Sequence, residues 1–219
     1  MAAPTYVVLL GKQGAGKGTQ SDLLSARHGL VHLSTGDILR AAVRAGSDLG
    51  REVSRVLEAG ELVSDDLVNR LVEERLGAPD AAAGAVFDGY PRTRGQAEAL
   101  DRILAPSGVG LCVLVELPDE LVVERLSGRR VCEGCGTTYS LSDPSARSGV
   151  CERCGGRVVQ RADDTPEAIG ARLAAYERDT RPLIDLYDER GLLATVDGDR
   201  SVEEVQASIE AALAARGLA

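Results

Sequence analysis

The stretch Gly11-Lys12-Gln13-Gly14-Ala15-Gly16-Lys17-Gly18-Thr19 decides the fold of this chain. It follows a short apolar run at residues 6–10 and precedes a segment with helical spacing at Leu23 and Leu24. A strand, a glycine-rich loop and a helix in this order are the context of a phosphate-binding P-loop. The glycines let the backbone aim its N–H groups at phosphate oxygens, and the helix N-terminus adds partial positive charge. The pattern differs from a plain Walker A motif because Gly18 stands between Lys17 and Thr19.

The basic residues of the chain are distributed unevenly. Of 25 lysines and arginines, only Lys12 and Lys17 are lysines, and both lie in this loop. A lysine is a compact point charge on a flexible stem, whereas an arginine is a planar fork. The placement indicates that Lys17 does something at the tight turn that an arginine does not do.

Outward from the loop, short apolar runs alternate with helical patterns. Such alternation is typical of a parallel α/β sheet. We predict a five-stranded parallel sheet flanked by helices, with Pro182 kinking or breaking the longest helix. Ser64, Thr165 and Ser201 mark helix starts. The further strands are predicted at 31–33, 85–87, 111–117 and 192–196, and the further helices at about 37–46, 49–59, 64–76, 93–105, 119–127, 165–189 and 201–216.

Composition narrows the class of protein. The chain has 219 residues, a formal net charge of −9, and no apolar stretch near the ~18 residues that span a membrane. A net negative charge repels polyanions, so we expect no nucleic-acid partner and no membrane association. Residues 1–10 lack the basic start of a signal peptide, and we expect a cytoplasmic protein.

Four of the five cysteines follow the spacing of a metal site, Cys132-x2-Cys135-x15-Cys151-x2-Cys154. Four thiolates would close a tetrahedral zinc site and leave no position for water, which predicts a structural metal. Reversible disulfide chemistry is the alternative, and the spacing alone does not separate zinc from iron. Cys112 lies inside an apolar run and is interpreted as a small buried hydrophobe.

Two segments interrupt the alternation. Residues 128–162 lose regular periodicity, and we interpret them as an insertion that a metal stabilises in place of a core. Residues 34–63 place short helices between strands that should be adjacent, which predicts a mobile flap. The predicted core domain then comprises residues 1–33, 64–127 and 163–219.

Three more motifs accompany the loop: Ser34-Thr35-Gly36-Asp37, Asp88-Gly89-Tyr90-Pro91-Arg92-Thr93 and Gly128-Arg129-Arg130. With them, the chain from Val7 to about Val205 resembles the adenylate kinases of the long-lid type, in the version with a zinc lid. The resemblance implies a P-loop NTPase fold and the reaction ATP + AMP = 2 ADP with Mg²⁺. We expect a monomer.

The resemblance also assigns roles to single residues. It implies that a lid closes over the nucleotides and excludes water. The residues that would contact the reacting phosphates or the Mg²⁺ water shell are Lys17, Asp88, Arg92, Arg129, Arg161 and Arg172. The residues that would bind ATP are Gly14, Ala15, Gly16, Lys17, Gly18, Thr19, Arg129, Thr138, Tyr139 and Arg200. The residues that would bind AMP are Thr35, Arg40, Glu61, Leu62, Val63, Gly89, Tyr90, Pro91, Arg92, Gln96, Arg161 and Arg172, with Gln96 reading the adenine edge.

Other interpretations stay open. The acceptor could be another monophosphate, CMP or UMP, because base choice depends on few contacts. A zinc-ribbon NTPase acting on nucleic acid is a second alternative. Arg161 stands beside Asp163 and Asp164 and could form a structural ion pair instead of binding phosphate. The sequence departs from the family at Gln13, where many relatives have proline, and at Gly170, where relatives often have arginine. His28 and His32 match no catalytic position and are interpreted as structural.

Overall fold

A parallel sheet forms the centre of the molecule. The computed structural model describes residues 4–46, 48–58 and 62–218. Five parallel strands lie in the order β2-β3-β1-β4-β8, and three short strands form a separate antiparallel sheet in the order β6-β5-β7. The strands are β1 (Thr5–Leu10), β2 (Val31–Ser34), β3 (Gly84–Asp88), β4 (Leu111–Glu116), β5 (Arg130–Cys132), β6 (Thr138–Tyr139), β7 (Val158–Val159) and β8 (Leu193–Asp197).

The central strands are apolar on both faces because helices cover both. In β1, Val7 and Leu9 pack into one cluster of buried residues, while Val8 and Leu10 pack into another on the opposite face. A run of apolar residues without alternation is what a strand buried on both faces requires. The predicted five-stranded α/β architecture is confirmed.

Apart from the long helix, the ends of the predicted helices differ from the predictions by two residues at most, and the short helix at Pro144–Ser148 was not predicted. Within the described residues no helix is long and apolar enough to cross a membrane. The helices are α1 (Lys17–His28), α2 (Thr35–Arg44), α3 (Asp48–Glu58), α4 (Asp65–Leu76), α5 (Arg94–Ile103), α6 (Asp119–Gly128), α7 (Pro144–Ser148), α8 (Pro166–Ala175), α9 (Pro182–Glu189) and α10 (Val202–Ala215).

Side-chain caps explain several of these starts. Ser201 and Glu204 form a reciprocal capping box at α10, and Thr165 accepts a hydrogen bond from the Ala168 backbone N–H at α8. Ser64 precedes α4 as predicted but makes no side-chain cap bond. Two aspartates in the first turn of α4 supply favourable negative charge there instead.

The long predicted helix is broken at Pro182, as predicted, and Pro182 begins the next helix. A π-helical turn, Tyr176–Thr180, separates α8 from α9, and the Arg181 N–H donates to the Tyr176 carbonyl over 2.8 Å. Proline has no N–H, and its ring excludes the carbonyl four residues earlier from a normal helical position. The wider turn resolves this conflict.

Candidate active site

The glycine loop lies between β1 and α1, at the carboxyl edge of the sheet. Gly11 has φ +136°, and a Cβ there would lie 2.4 Å from the Val115 carbonyl oxygen, so no side chain fits. Gly14 and Gly16 also have positive φ, and Gly16 is the N-cap of α1. The loop therefore needs glycine in order to fold back with its N–H groups turned inward.

Lys17 folds back over this loop. Its Nζ donates to the carbonyls of Gly11 and Lys12 over 2.7 and 2.8 Å. Burial lowers the pKa of Lys17 to about 8, with the nearby Arg92 and Arg129 acting in the same direction and Asp88 opposing them. The side chain is a buried cation that shares its surroundings with other cations, which is a favourable setting for an anion.

Asp88 ends β3 beside the loop. A Cβ at Gly18 would lie 3.4 Å from the Asp88 carboxylate, so the carboxylate reaches the first turn of α1. Burial alone would raise the pKa of Asp88, but the neighbouring His32 and the Lys17 ammonium outweigh it and lower the pKa. The carboxylate is thereby held charged, as an acceptor for metal-bound water must be.

His32 lies beside Asp88, which sequence reasoning missed. His32 Nε2 is 3.8 Å from Asp88 Oδ2, and Nδ1 is 2.7 Å from Asp22 Oδ1. Burial lowers the pKa of His32, yet the two carboxylates outweigh it and raise the pKa to about 9. The sequence offered one signal for this contact, which is the position of His32 two residues before the end of β2. Because β2 lies next to β3 in the sheet, a side chain near the end of β2 can come close to Asp88.

Arginines from separate elements meet across the cleft. Arg129 donates to both oxygens of Asp164 over 2.8 and 2.5 Å, and Arg172 donates to Asp164 over 3.0 Å and also to Asp163. The Asp164 side chain is fully buried. This aspartate orients two of the predicted phosphate-binding arginines, Arg129 near the start of the segment 128–162 and Arg172 beyond its end.

Arg161 makes no such pair, although Asp163 and Asp164 follow it closely. Its Nε is buried and has no hydrogen-bond partner among the residues that the structure describes. Burial lowers the pKa of Arg161 to about 9, and Arg129 and Arg40 lower it further in the same direction. A buried guanidinium with an unused donor fits an anion site better than a structural ion pair.

The residues predicted for AMP surround Arg92. Arg92 Nε donates to the Gly89 carbonyl over 2.8 Å, the Thr35 hydroxyl donates to the same carbonyl over 2.9 Å, and Arg40 pairs with Asp37 at 2.6 Å. Burial, together with Arg40 and Arg172, lowers the pKa of Arg92 against the effect of Asp88. The other predicted AMP-site residues described are Leu62 and Val63, half-buried, Tyr90, Pro91 and Gln96, buried. Glu61 lies outside the described residues.

Thr180 was also missed from the sequence. The π-helical turn places its buried hydroxyl 3.0 Å from the Arg92 carbonyl, to which it donates. No motif marks Thr180, because a contact between positions 88 residues apart has no local signature.

The residues predicted to contact the adenine of ATP do not form a compact group in the way that the phosphate-site residues do. Arg200 is exposed and pairs with Asp197 at 3.1 Å. The Tyr139 ring is buried inside the antiparallel sheet segment, so only its backbone and the exposed Thr138 remain available to a nucleotide. These assignments stay predictions.

The four cysteines meet at one point. Their sulfur atoms all lie within 4.8 Å of one another, with Cys132 and Cys154 at 3.4 Å and Cys135 and Cys151 at 3.6 Å. Four sulfurs at the usual zinc distance of about 2.3 Å would be about 3.8 Å apart. A Cβ at Gly156 would lie 3.0 Å from the Cys132 sulfur. The cluster therefore has the donors and the compactness of a metal site, as predicted.

The surroundings of the cluster support the thiolates. Thr137 Oγ1 lies 3.1 Å from Cys135 Sγ, and the Tyr139 hydroxyl lies 3.1 Å from Cys151 Sγ. Such outer contacts orient metal ligands. Cys112 is buried in the main sheet, where burial raises the pKa of its thiol, and it takes no part in the cluster.

The site combines a glycine loop and its lysine with a charged carboxylate at the end of the neighbouring strand β3 and with converging arginines. Transfer of a phosphoryl group needs positioning and fixed positive charge. These features therefore define a P-loop phosphotransferase. The adenylate kinase family model matches residues 9–192. The chain is 46% identical to an adenylate kinase of Symbiobacterium thermophilum over 213 residues, which is 96% of this chain and 99% of the relative. It is 47% identical to one of Carboxydothermus hydrogenoformans over 210 residues, 94% and 98% of the two chains.

The chain belongs to the adenylate kinase family. The predicted family, the enzyme class and the reaction ATP + AMP = 2 ADP are thereby confirmed.

Proposed function

We propose that this chain transfers the terminal phosphoryl group of ATP to AMP in the cleft at the carboxyl edge of the sheet, with Lys17 and four arginines supplying the fixed positive charge. In this proposal the P-loop N–H groups and Lys17 hold the ATP phosphates, and Arg92 holds the AMP phosphate. Arg129, Arg161 and Arg172 face the transferred group. The single observation that supports this arrangement most strongly is the buried Nε of Arg161, which has no partner within residues 4–46, 48–58 and 62–218.

The charge balance of the cleft supports the assignment. Burial and neighbouring arginines lower the pKa of Lys17, Arg92 and Arg161. Such crowding is unfavourable in the free protein, and phosphate oxygens relieve it. The charge that develops on the equatorial oxygens during transfer would meet donors that are already oriented, so little reorganisation is needed.

Two metal ions belong to the proposal. Mg²⁺ bound with ATP would neutralise phosphate charge, and Asp88 would accept hydrogen bonds from its water shell. Zn²⁺ would bind Cys132, Cys135, Cys151 and Cys154 in a closed site with a structural role. Residues 128–162 would then form a rigid lid that excludes water from the transfer, and residues 34–63 would form the AMP flap. A monomeric, cytoplasmic enzyme stays a prediction.

The proposal is tested by measuring ADP formation from ATP with AMP, CMP, UMP and GMP offered separately to the purified protein. We expect AMP to have the highest kcat/KM, because the chain carries the residues assigned to AMP. A higher kcat/KM for CMP or UMP would contradict the choice of acceptor. ATP hydrolysis without any acceptor preference would contradict phosphoryl transfer itself.

Arg161→Ala is expected to lower kcat by about 10²–10³-fold, as removal of one oriented donor does in comparable sites. The melting temperature should stay the same or rise, because burial and the neighbouring Arg129 and Arg40 make this cation unfavourable in the folded protein, outweighing the attraction of Asp163 and Asp37. Arg157→Ala is the matched control: this arginine of the same segment is exposed and pairs with Glu133 at 2.8 Å, and such pairs contribute about 0–1 kcal/mol. Equal kcat in the two variants would remove Arg161 from the site.

A further inference from the structure

The side-chain amide of Gln96 is held from two sides. Its Oε1 accepts from the Arg92 N–H over 2.8 Å, and its Nε2 donates to Asp65 Oδ1 over 2.7 Å. The second oxygen of Asp65 accepts from the Thr93 hydroxyl over 2.6 Å. Gln96 is 2% exposed. Asp65 therefore holds the amide from the first turn of α4.

The chemistry of the two partners allows only one orientation of the amide. An ionised carboxylate accepts hydrogen bonds and cannot donate them, and a backbone N–H only donates. If the amide were rotated by half a turn, its oxygen would face Asp65 and its NH₂ would face the Arg92 N–H. Both contacts would then be repulsive, so the positions of oxygen and nitrogen follow from the partners.

A second contact fixes α4 against the same segment. The Tyr90 hydroxyl donates to Asn69 Oδ1 over 2.7 Å and lies 3.2 Å from the backbone carbonyl oxygen of Gln96. Asp65 and Asn69 are four residues apart and so share one face of α4. This face of α4 therefore contacts both ends of the segment 90–96, through Asn69 at Tyr90 and through Asp65 at Gln96. Of these two contacts, the one made by Asp65 is to the side chain that would meet the base of the nucleotide.

The locked amide has one N–H and one oxygen lone pair left for a ligand. Adenine and cytosine each present an amino donor beside a ring-nitrogen acceptor on the Watson–Crick edge. Guanine and uracil present a carbonyl acceptor beside an N–H donor, which is the reverse pattern. An amide that is free to rotate can pair with either pattern, whereas an amide with fixed orientation can pair with one only.

We propose that Asp65 is a positioning residue that sets the base selectivity of the monophosphate site by fixing the orientation of the Gln96 amide. The proposal rests on the proposed function, in which Gln96 meets the base of AMP. Asp65 itself does not contact the substrate. The Arg92 N–H that holds the amide oxygen belongs to the arginine assigned to the AMP phosphate, so the base and phosphate contacts form one unit.

The test compares Asp65→Asn with Asp66→Asn. Both variants keep the shape of the side chain and remove one charge from the first turn of α4, but the Asp66 side chain is exposed and has no bond to Gln96 within the described structure. Asparagine can accept from Gln96 or donate to it, so Asp65→Asn removes one of the two contacts that fix the amide and leaves only the Arg92 N–H to oppose its rotation. We measure kcat/KM for AMP, CMP, UMP and GMP with ATP, and the inhibition constant where turnover is too slow.

For Asp65→Asn we expect the preference for AMP over GMP, and for CMP over UMP, to fall about tenfold, the effect of one hydrogen bond to a charged group. The ratio of AMP to CMP should stay within about twofold, because these bases share one pattern. The KM for ATP should not change. Asp66→Asn should behave as the parent protein in all four ratios.

Three outcomes overturn the proposal. The first is an unchanged AMP to GMP ratio in Asp65→Asn, and the second is an equal loss with all four monophosphates, which indicates a structural role only. The third outcome comes from NMR spectra of ¹⁵N-labelled protein and does not depend on turnover. The Gln96 side-chain amide signal should shift in Asp65→Asn and not in Asp66→Asn. The same position of this signal in both variants would contradict the fixed orientation of the amide. If the parent protein phosphorylates no monophosphate, the proposed function fails, while the spectra still decide about Asp65.

Discussion

Replacing Lys17 by alanine is expected to lower kcat at least about 10³-fold, the scale on which oriented cations act in phosphoryl transfer. Lys17 is the buried cation at the start of α1, and its Nζ donates to two carbonyls of the glycine loop. In the proposed function Lys17 stabilises the negative charge of the phosphoryl group while this group passes from one nucleotide to the other. An arginine fork does not fit the tight turn, so Lys17→Arg should also lose most of the activity.

The fold should survive the substitution. Burial lowers the pKa of Lys17 to about 8, which means that the folded protein disfavours the ammonium relative to the unfolded chain at neutral pH. Removing the group therefore removes an unfavourable burial, and we expect an equal or higher melting temperature. Calorimetry and circular dichroism measure this alongside ADP formation.

Lys12→Ala is the matched control, because Lys12 is the only other lysine and lies in the same loop. Its Nζ pairs with the exposed Asp119 and lies 3.8 Å from Glu177, and such partly exposed pairs contribute little. Activity within about threefold of the parent is expected. Comparable losses in Lys12→Ala and Lys17→Ala would show that the loop, and not the Lys17 charge, limits the reaction.

Removal of the metal is expected to unfold residues 128–162 and to lower the melting temperature by about 10 °C or more. The buried apolar residues described in this segment are Cys132, Tyr139, Cys151 and Val158, with Ala146 beside them, so two of the four are predicted metal ligands themselves. Metal binding supplies most of the folding free energy of such small units, about 10–16 kcal/mol in zinc-finger peptides. Chelator, followed by zinc, should lower and then restore the melting temperature.

Thiol counting makes this experiment specific to the segment. After chelation, four thiols should react with a disulfide reagent, while Cys112 stays protected in the main sheet. A fifth reactive thiol would indicate unfolding of the whole chain. Metal analysis without bound metal, together with no thermal effect of the chelator, would contradict the structural zinc. Thiols that react only after reduction would support the disulfide alternative.

Local patterns predicted much of the site. The glycine loop could be recognised because each glycine answers a requirement of the backbone within a few residues of it, as Gly16 does at the N-cap of α1. The four cysteines could be recognised because a metal imposes its own spacing on the chain. The start of α10 followed from Ser201 and Glu204, which bond to each other's backbone across three residues.

The arginines show where local patterns end. Asp163 and Asp164 stand two and three positions after Arg161 in the sequence. In the folded chain, however, both aspartates pair with Arg172, and Asp164 also pairs with Arg129. Arg161 keeps a buried Nε–H that no described residue accepts. Which cation a carboxylate selects depends on elements brought together from 35 positions away, and no neighbour in the sequence reports it.

By itself the sequence determined the α/β class, the phosphate loop and the four-cysteine cluster, because apolar periodicity, backbone geometry and ligand spacing act over short stretches of chain. The family followed from the resemblance of four short motifs to the adenylate kinases. Only the tertiary structure decided that His32 lies beside Asp88, that Thr180 holds the Arg92 carbonyl and that Asp65 holds Gln96. These contacts join strands and helices that are distant along the chain. Their geometry is set by the packing of the sheet and its helices, which local residue preferences do not encode.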